Sequence, residues 1–335
     1  MNPAMTATFV HAQGWIQFDV HGLATQFWNN TIDGLAQGGI YALIALGYTL
    51  VYGVLKLINF AHSEVFVVGA FATWITFYLL GFRTGATPDL SAVEIILYLA
   101  IAGIAAMAVS GATAVALERV AYRPLRNRNA PRLVFLITAI GASFALQQTL
   151  KLIFGLNQQP QIRLLQPEPL FKLFGASVTN IHVILVVAAV VLWFVADYFV
   201  NKTRLGRGIR AVAQDPDTAT LMGVNKERVI IVTFLVGGLL AGAAAMFYMM
   251  RIPQGAIYNG GFLLGIKAFA AAVLGGIGNL RGALLGGLVL GLVENYGQSL
   301  FGGGWKDVVA FVVLVIVLMF RPTGILGESL GKARV

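Results

Sequence analysis

Long apolar runs constrain this chain more than any other feature. They fall at 32–54, 58–80, 92–117, 133–154, 180–200, 229–250, 262–279, 282–300 and 306–321. A helix needs roughly 20 mostly apolar residues to cross the hydrocarbon of a bilayer. Nine such runs in 335 residues make lipid the solvent for most of the chain. Composition agrees: 58% of residues are hydrophobic and 11% charged, against roughly 25% charged in soluble domains. Backbone groups in lipid must be satisfied within their own segment, which selects helices. The expected fold is therefore all-α, a polytopic transmembrane bundle of about 8–10 spans. The runs 262–279 and 282–300 are both short and glycine-rich, and only Leu280-Arg281 separates them. They read as two spans, or as one span with a re-entrant element.

Charge supplies an orientation. The chain holds 23 Lys and Arg against 14 Asp and Glu, for a net +9. In a soluble protein such an excess raises nucleic-acid binding, but here the basic residues sit in short loops between apolar runs. Alternating the nine runs puts sixteen of the 23 on one side, chiefly in the 118–132 and 201–228 loops. The positive-inside rule makes that side cytoplasmic, with the N-terminus outside and the C-terminus inside. Lys151 and Lys267, within apolar runs, are expected to snorkel outward. No basic residue precedes Lys56, so a cleavable signal peptide is not expected. Residues 1–30 read as an N-terminal extension: either a poorly ordered leader or an interfacial helix carrying Trp15, Ile16, Phe18, Leu23, Phe27 and Trp28. The transmembrane domain is placed at 31–328 and a cytoplasmic tail at 329–335.

Several chemistries are excluded. There is no cysteine, so thiolate metal sites, disulfides and Cys nucleophiles are absent. No G-x-x-x-x-G-K-[ST] occurs, since Gly331-Lys332 is followed by Ala333, and the chain has no P-loop for ATP. No H-E-x-x-H occurs, and His11, His21, His62 and His182 are scattered. No metal, cofactor or enzymatic activity is expected.

Three polar or small-residue features remain. In the 201–228 loop, Asp215 is suited to cap a helix that Pro216 begins, Asp217 adds negative charge at its positive end, and Gly223 supplies a left-handed stop. Such a helix over 216–222 is either an ordinary loop anchored by arginines or a docking element for a cytoplasmic partner. Next, Asn59, His62, Ser63 and Glu64 open the second run. Asn59 and Ser63 are four apart and so share one helical face, and Glu64 can bond to His62 or hold an ammonium group, or the cluster only caps or staples a helix end. Ionisable residues at membrane depth often mark a path or gate, although Lys56 places this cluster near the cytoplasmic surface. Finally, Gly278, Gly282 and Gly286 are spaced by four, as are Gly287 and Gly291, and Glu294 and Asn295 follow. That spacing permits close helix packing, or a broken helix beside a pathway.

The segments GLAQGGIYALIALGYTLVYGVLKLINFAHSE (34–64), ERVAYRPLR (118–126), the 204–228 loop, IKAFAAAVLGGIGNLRGALLGG (266–287) and KDVVAFVVLVIVLMFRPTGILG (306–327) together resemble one family. This is the permease subunit of bacterial branched-chain amino acid ABC importers, of the LivH type. The resemblance covers roughly 30–328. It implies an ABC importer permease fold in the bacterial inner membrane and a second, LivM-type permease beside this chain. Two cytoplasmic ABC ATPase subunits and a periplasmic amino acid-binding protein complete the assembly it implies. DTATLMG (217–223) is similar to the E-A-A-x-x-x-G coupling motif of import permeases, with Asp217, Ala219 and Gly223 in register and Thr218 in place of its first alanine. No I-x-L-P follows. Asp215, Pro216, Asp217, Thr218, Ala219 and Gly223 are thus implied to contact an ATPase. Three rival readings stand beside this one: a urea or short-amide permease of the same superfamily, an ion-coupled secondary transporter acting alone, and a purely structural membrane subunit.

Overall fold

A computed structural model describes residues 18–83, 90–252 and 254–327. The expectations for 1–17 and 329–335, Trp15 and Ile16 among them, lie outside the described residues. A short helix α1 (Val20–Thr25) leads into α2 (Phe27–Leu55), which ends where Lys56 adopts a left-handed conformation at φ 53°. Then come α3 (His62–Leu79) and α4 (Ala92–Leu117), the latter opened by a reciprocal cap between Ser91 and Glu94. α4 continues through a π-helical turn, Glu118–Tyr122, into α5 (Arg123–Asn127). α6 (Arg132–Phe154) is followed by a small antiparallel hairpin, β1 (Pro169–Leu173) and β2 (Ala176–Thr179), which apolar patterning does not foretell. The chain then forms α7 (Asn180–Lys202), α8 (Arg204–Gln214), α9 (Pro216–Leu221) and α10 (Lys226–Arg251). It finishes with α11 (Gly261–Gly275), α12 (Leu280–Phe301) and α13 (Lys306–Phe320).

Each of the nine apolar runs forms a helix. Six helical segments among the described residues are long and apolar enough to cross a membrane: α2, α4 with its continuation to Asn127, α6, α7, α10 and the segment 303–320. The 262–300 region is two antiparallel helices. α11, at 15 residues, extends about 22 Å and falls short of a ~30 Å hydrocarbon core.

The bundle is built around α2 and α10, which bury most of their surface, while α4, α6, α7 and α13 turn apolar side chains outward. Lipid is as apolar as leucine, so helices associate here through close packing rather than apolar burial. Small residues make that possible. A Cβ on Gly287 or Gly291 of α12 would run into Ala42, Gly34 or Gly38 of α2. On the other side of α12, Gly282 and Gly286 lie against Gly275 and Ala271 of α11. Gly238 and Gly242 of α10 seat in the same way on Ser110 and Ala106 of α4. Gly278 departs from the expected packing role. It lies in the turn between α11 and α12 with nothing within 4 Å of a Cβ, and its φ of +98° is what the turn requires.

Candidate functional site

The first turn of α3 lies deeper than Lys56 suggested. Its His62 ring sits over Gly47 of α2, eight residues before that helix ends, which is about 12 Å along its axis. The chain between 55 and 62 therefore turns back into the bundle, and Glu64 is fully buried. The four polar residues of this segment do not form one cluster. Asn59 precedes α3, so it shares no helical face with Ser63, and it accepts a hydrogen bond from the Tyr122 hydroxyl at 2.6 Å. His62 packs edge-on to Tyr48, with ring centroids 4.8 Å apart. Ser63 donates to the carbonyl of Phe60 at 2.8 Å.

Glu64 turns to α6 rather than to His62. Its Oε1 accepts from Gln147 Nε2 at 2.9 Å and from the Ser143 hydroxyl at 3.3 Å, with the neighbouring Ser63 hydroxyl at 3.4 Å. Its Oε2 has no hydrogen-bond partner among the described residues and lies beside Gly261, in the first turn of α11. Helix N-termini favour negative charge, which helps an acid to sit here. Ser143 and Gln147 also line a groove of about 680 Å³ between α6 and α11. Phe60, Phe144, Phe262, Ile140 and Ile266 make its walls apolar, and Asn259 adds one more amide. An apolar trough with a polar edge backed by a carboxylate suits a small solute with an aliphatic body and a charged head.

At one end of the bundle, α8 and α9 form a bent pair. α8 buries Gly206, Ile209 and Val212 on the bundle, a helix that no apolar run marks in the sequence. Asp215 caps α9 by accepting from the N–H groups of Asp217 and Thr218 at 3.0 and 3.1 Å and from the Thr218 hydroxyl at 2.5 Å. These bonds, the hydroxyl first, hold its carboxyl below the usual range. Pro216 is the first helical residue and Gly223 follows the helix at φ +86°. Ala219 is buried, whereas Leu221 and Met222 are 87% and 81% exposed. That exposure marks two large apolar side chains held at the tip of a capped helix. Beside it, Arg126 grips both oxygens of Glu227 on α10 and also buried Glu118, at 2.8 Å. This clamp brings together residues 101 apart in sequence, a separation that no local pattern encodes.

Glu294 is not an isolated carboxylate. Lys267 of α11 pairs with it at 2.5 Å and also with Asp307 of α13, while Lys306 stands 3.8 Å away. Lys267 is thus buried in a three-helix ion network instead of snorkelling. Asn295 bonds back to the carbonyl of Gly291 within α12. Among the described residues no group of three or more His, Asp or Glu side chains is placed to hold a metal ion. At the end of the bundle opposite α9, Asp33 joins Arg251 and His182 at 3.2 and 3.1 Å, a trio that sequence reading did not single out.

A helical bundle with a re-entering chain, an open polar-edged groove and a capped apolar helix tip is the architecture of a multi-pass membrane protein. Comparison with known proteins is specific about which. Residues 30–318 match the family described as branched-chain amino acid transport system / permease component, and the chain belongs to that family. It is 43% identical over 301 residues to the high-affinity branched-chain amino acid transport system permease protein BraD of Pseudomonas aeruginosa, covering 89% of this chain and 94% of that one. It is 37% identical over 312 residues to the corresponding permease LivH of Escherichia coli K12, covering 90% and 96%. A probable LivH of Methanocaldococcus jannaschii is 27% identical over 313 residues, covering 88% and 91%. No solved structure matches the chain.

Proposed function

We propose that this chain is one of two membrane subunits of an ATP-driven importer for branched-chain amino acids, seated in a bacterial inner membrane with α8 and α9 in the cytoplasm. The observation that carries this reading is the tip of α9. Leu221 and Met222 are exposed beyond a capped turn, and an apolar knob on the basic, cytoplasmic side fits a pocket in a partner protein. The missing P-loop assigns ATP hydrolysis to that partner. Motion of α9 reaches α10 through four intervening residues, and the Arg126–Glu227 pair passes it to α5 and α4. The same displacement alters the α6–α11 groove, through which the aliphatic side chain slides along apolar walls. A second, LivM-type permease completes the passage, and a periplasmic binding protein captures and delivers the solute, so tight binding within the membrane is not needed and would slow release.

The test is ATP-dependent L-leucine uptake by the whole complex in proteoliposomes. Changing Leu221 and Met222 together to Asp lowers uptake at least tenfold while membrane abundance and size profile stay unchanged. Full uptake by that variant overturns the docking role. Unlabelled urea leaves leucine uptake unaffected; strong competition by urea overturns the substrate assignment.

A further inference from the structure

The end of the bundle opposite α9 holds a pocket of about 250 Å³ with an unusual mixture of walls. Its polar side is Asp33 of α2, Arg251 of α10 and Arg163 of the 156–168 segment. Asp33 uses Oδ1 for both Arg251 Nη2 and His182 Nε2. The His182 tautomer follows from its other nitrogen: Nδ1 accepts the Thr179 N–H at 3.3 Å, so the ring proton is on Nε2 and faces Asp33. Asp33 Oδ2 has no partner among the described residues, and Arg251 Nη1 is buried without one. Arg163 is steadied through Nε by Gln161 at 3.1 Å, which is itself tied to the carbonyl of Met250 at 2.8 Å. The outer nitrogens of Arg163 stay unpaired among the described residues. Leu165, Ile181 and Met250 supply the apolar side.

These vacancies have one chemical reading. Free guanidinium nitrogens want an anion, preferably a planar carboxylate; a free carboxylate oxygen wants a cation; and the remaining wall wants a hydrocarbon. An aliphatic α-amino acid carries all three. We propose that this pocket is a reception site for the free amino acid, holding its carboxylate at Arg163 and Arg251, its ammonium at Asp33, and its side chain on Leu165, Ile181 and Met250. The proposal rests on the import reading above and extends it: the permease itself selects for a zwitterion before the solute reaches the groove. Urea has neither charge, so the pocket offers it nothing comparable.

Saturable binding of radiolabelled L-leucine to the transporter complex in lipid nanodiscs, without the binding protein, tests this directly. Competitors are L-leucinamide, which keeps only the ammonium, and 4-methylpentanoate, which keeps only the carboxylate. Each competes at least tenfold more weakly than unlabelled leucine. Arg163→Gln weakens leucine and 4-methylpentanoate at least fivefold and leaves leucinamide unchanged, Arg163→Lys recovers part of the loss, and Lys172→Gln on the nearby hairpin changes nothing. Arg163 is exposed, so these variants fold. No saturable binding, equal competition by all three compounds, or wild-type leucine binding by Arg163→Gln overturns the pocket assignment. Binding-protein-dependent, ATP-driven uptake by the unaltered complex separates the two readings. If that uptake is present, a negative binding result removes only the pocket; if it is absent, the import reading itself fails.

Discussion

Glu64 shows how much chemistry rests on single atoms in this bundle. Its Oε1 takes hydrogen bonds from Ser143 and Gln147 of α6, while Oε2 takes none among the described residues. Glu64→Gln keeps an acceptor for both donors and deletes the charge. Leucine uptake by reconstituted complexes falls at least fivefold with this change while thermal stability stays close to the unaltered protein. Unchanged uptake removes the carboxylate from the mechanism. Glu64→Leu instead removes the acceptor for the buried Ser143 hydroxyl, which costs about 1–3 kcal/mol when left unsatisfied, so it lowers stability as well. Glycines give a second contrast. A side chain at Gly291 meets the Gly34 carbonyl and the Gly38 backbone, whereas one at Gly103 meets nothing within 4 Å. Gly291→Val therefore destabilises by about 1–3 kcal/mol or more, and Gly103→Ala stabilises by roughly 0.5–1 kcal/mol. Melting temperatures in detergent rank the two; equal melting temperatures contradict the close-packed seam.

At the scale of elements, α9 was legible in the sequence and the first turn of α3 was not. Asp215, Pro216 and Gly223 specify start and stop by local backbone chemistry alone, and the helix lies where those residues put it. Depth is different. The turn of 56–61 back into the bundle depends on Gly47 making room for His62 and on Tyr122 reaching Asn59 across 63 residues. Only the assembled bundle supplies those contacts, and the same holds for the Lys267–Glu294 and Arg126–Glu227 pairs. The α9 cap carries its own prediction. The Asp215 carboxyl is held below its usual range, led by the Thr218 hydroxyl. A lowered value means that the cap is fully present above the ordinary carboxylate range and is lost as pH falls through the lowered one. Hydrogen exchange of a peptide covering 213–224, corrected for intrinsic rate, is flat from pH 8 to pH 5, roughly a unit above an unperturbed Asp. Asp215→Ala raises it throughout that range. Loss of protection already at pH 6 in the unaltered chain contradicts the cap.

The whole molecule places the α9 tip and the hairpin at opposite ends of α7, and the proposal that the α9 end is cytoplasmic rests on the basic loops beside it. Because the chain contains no cysteine, single replacements report sidedness without background. In intact cells stripped of their outer barrier, Lys172→Cys reacts with an impermeant maleimide, and Leu221→Cys reacts only after the membrane is opened. The reverse pattern inverts the orientation. Which helices bury and which face lipid was the least legible feature, because α2, α4, α7 and α10 are all apolar and differ mainly in their neighbours. The two flanks of α2 set the final consequence. On one side it meets α12 at Gly34, Gly38 and Ala42, and on the other Gly47 faces Gly237 of α10. Along the α12 line main chain lies on main chain, and a slide by even one residue would bring a Cβ onto backbone. The seam is therefore a keyway: it fixes the register of α2 against α12, and the two helices move as one body.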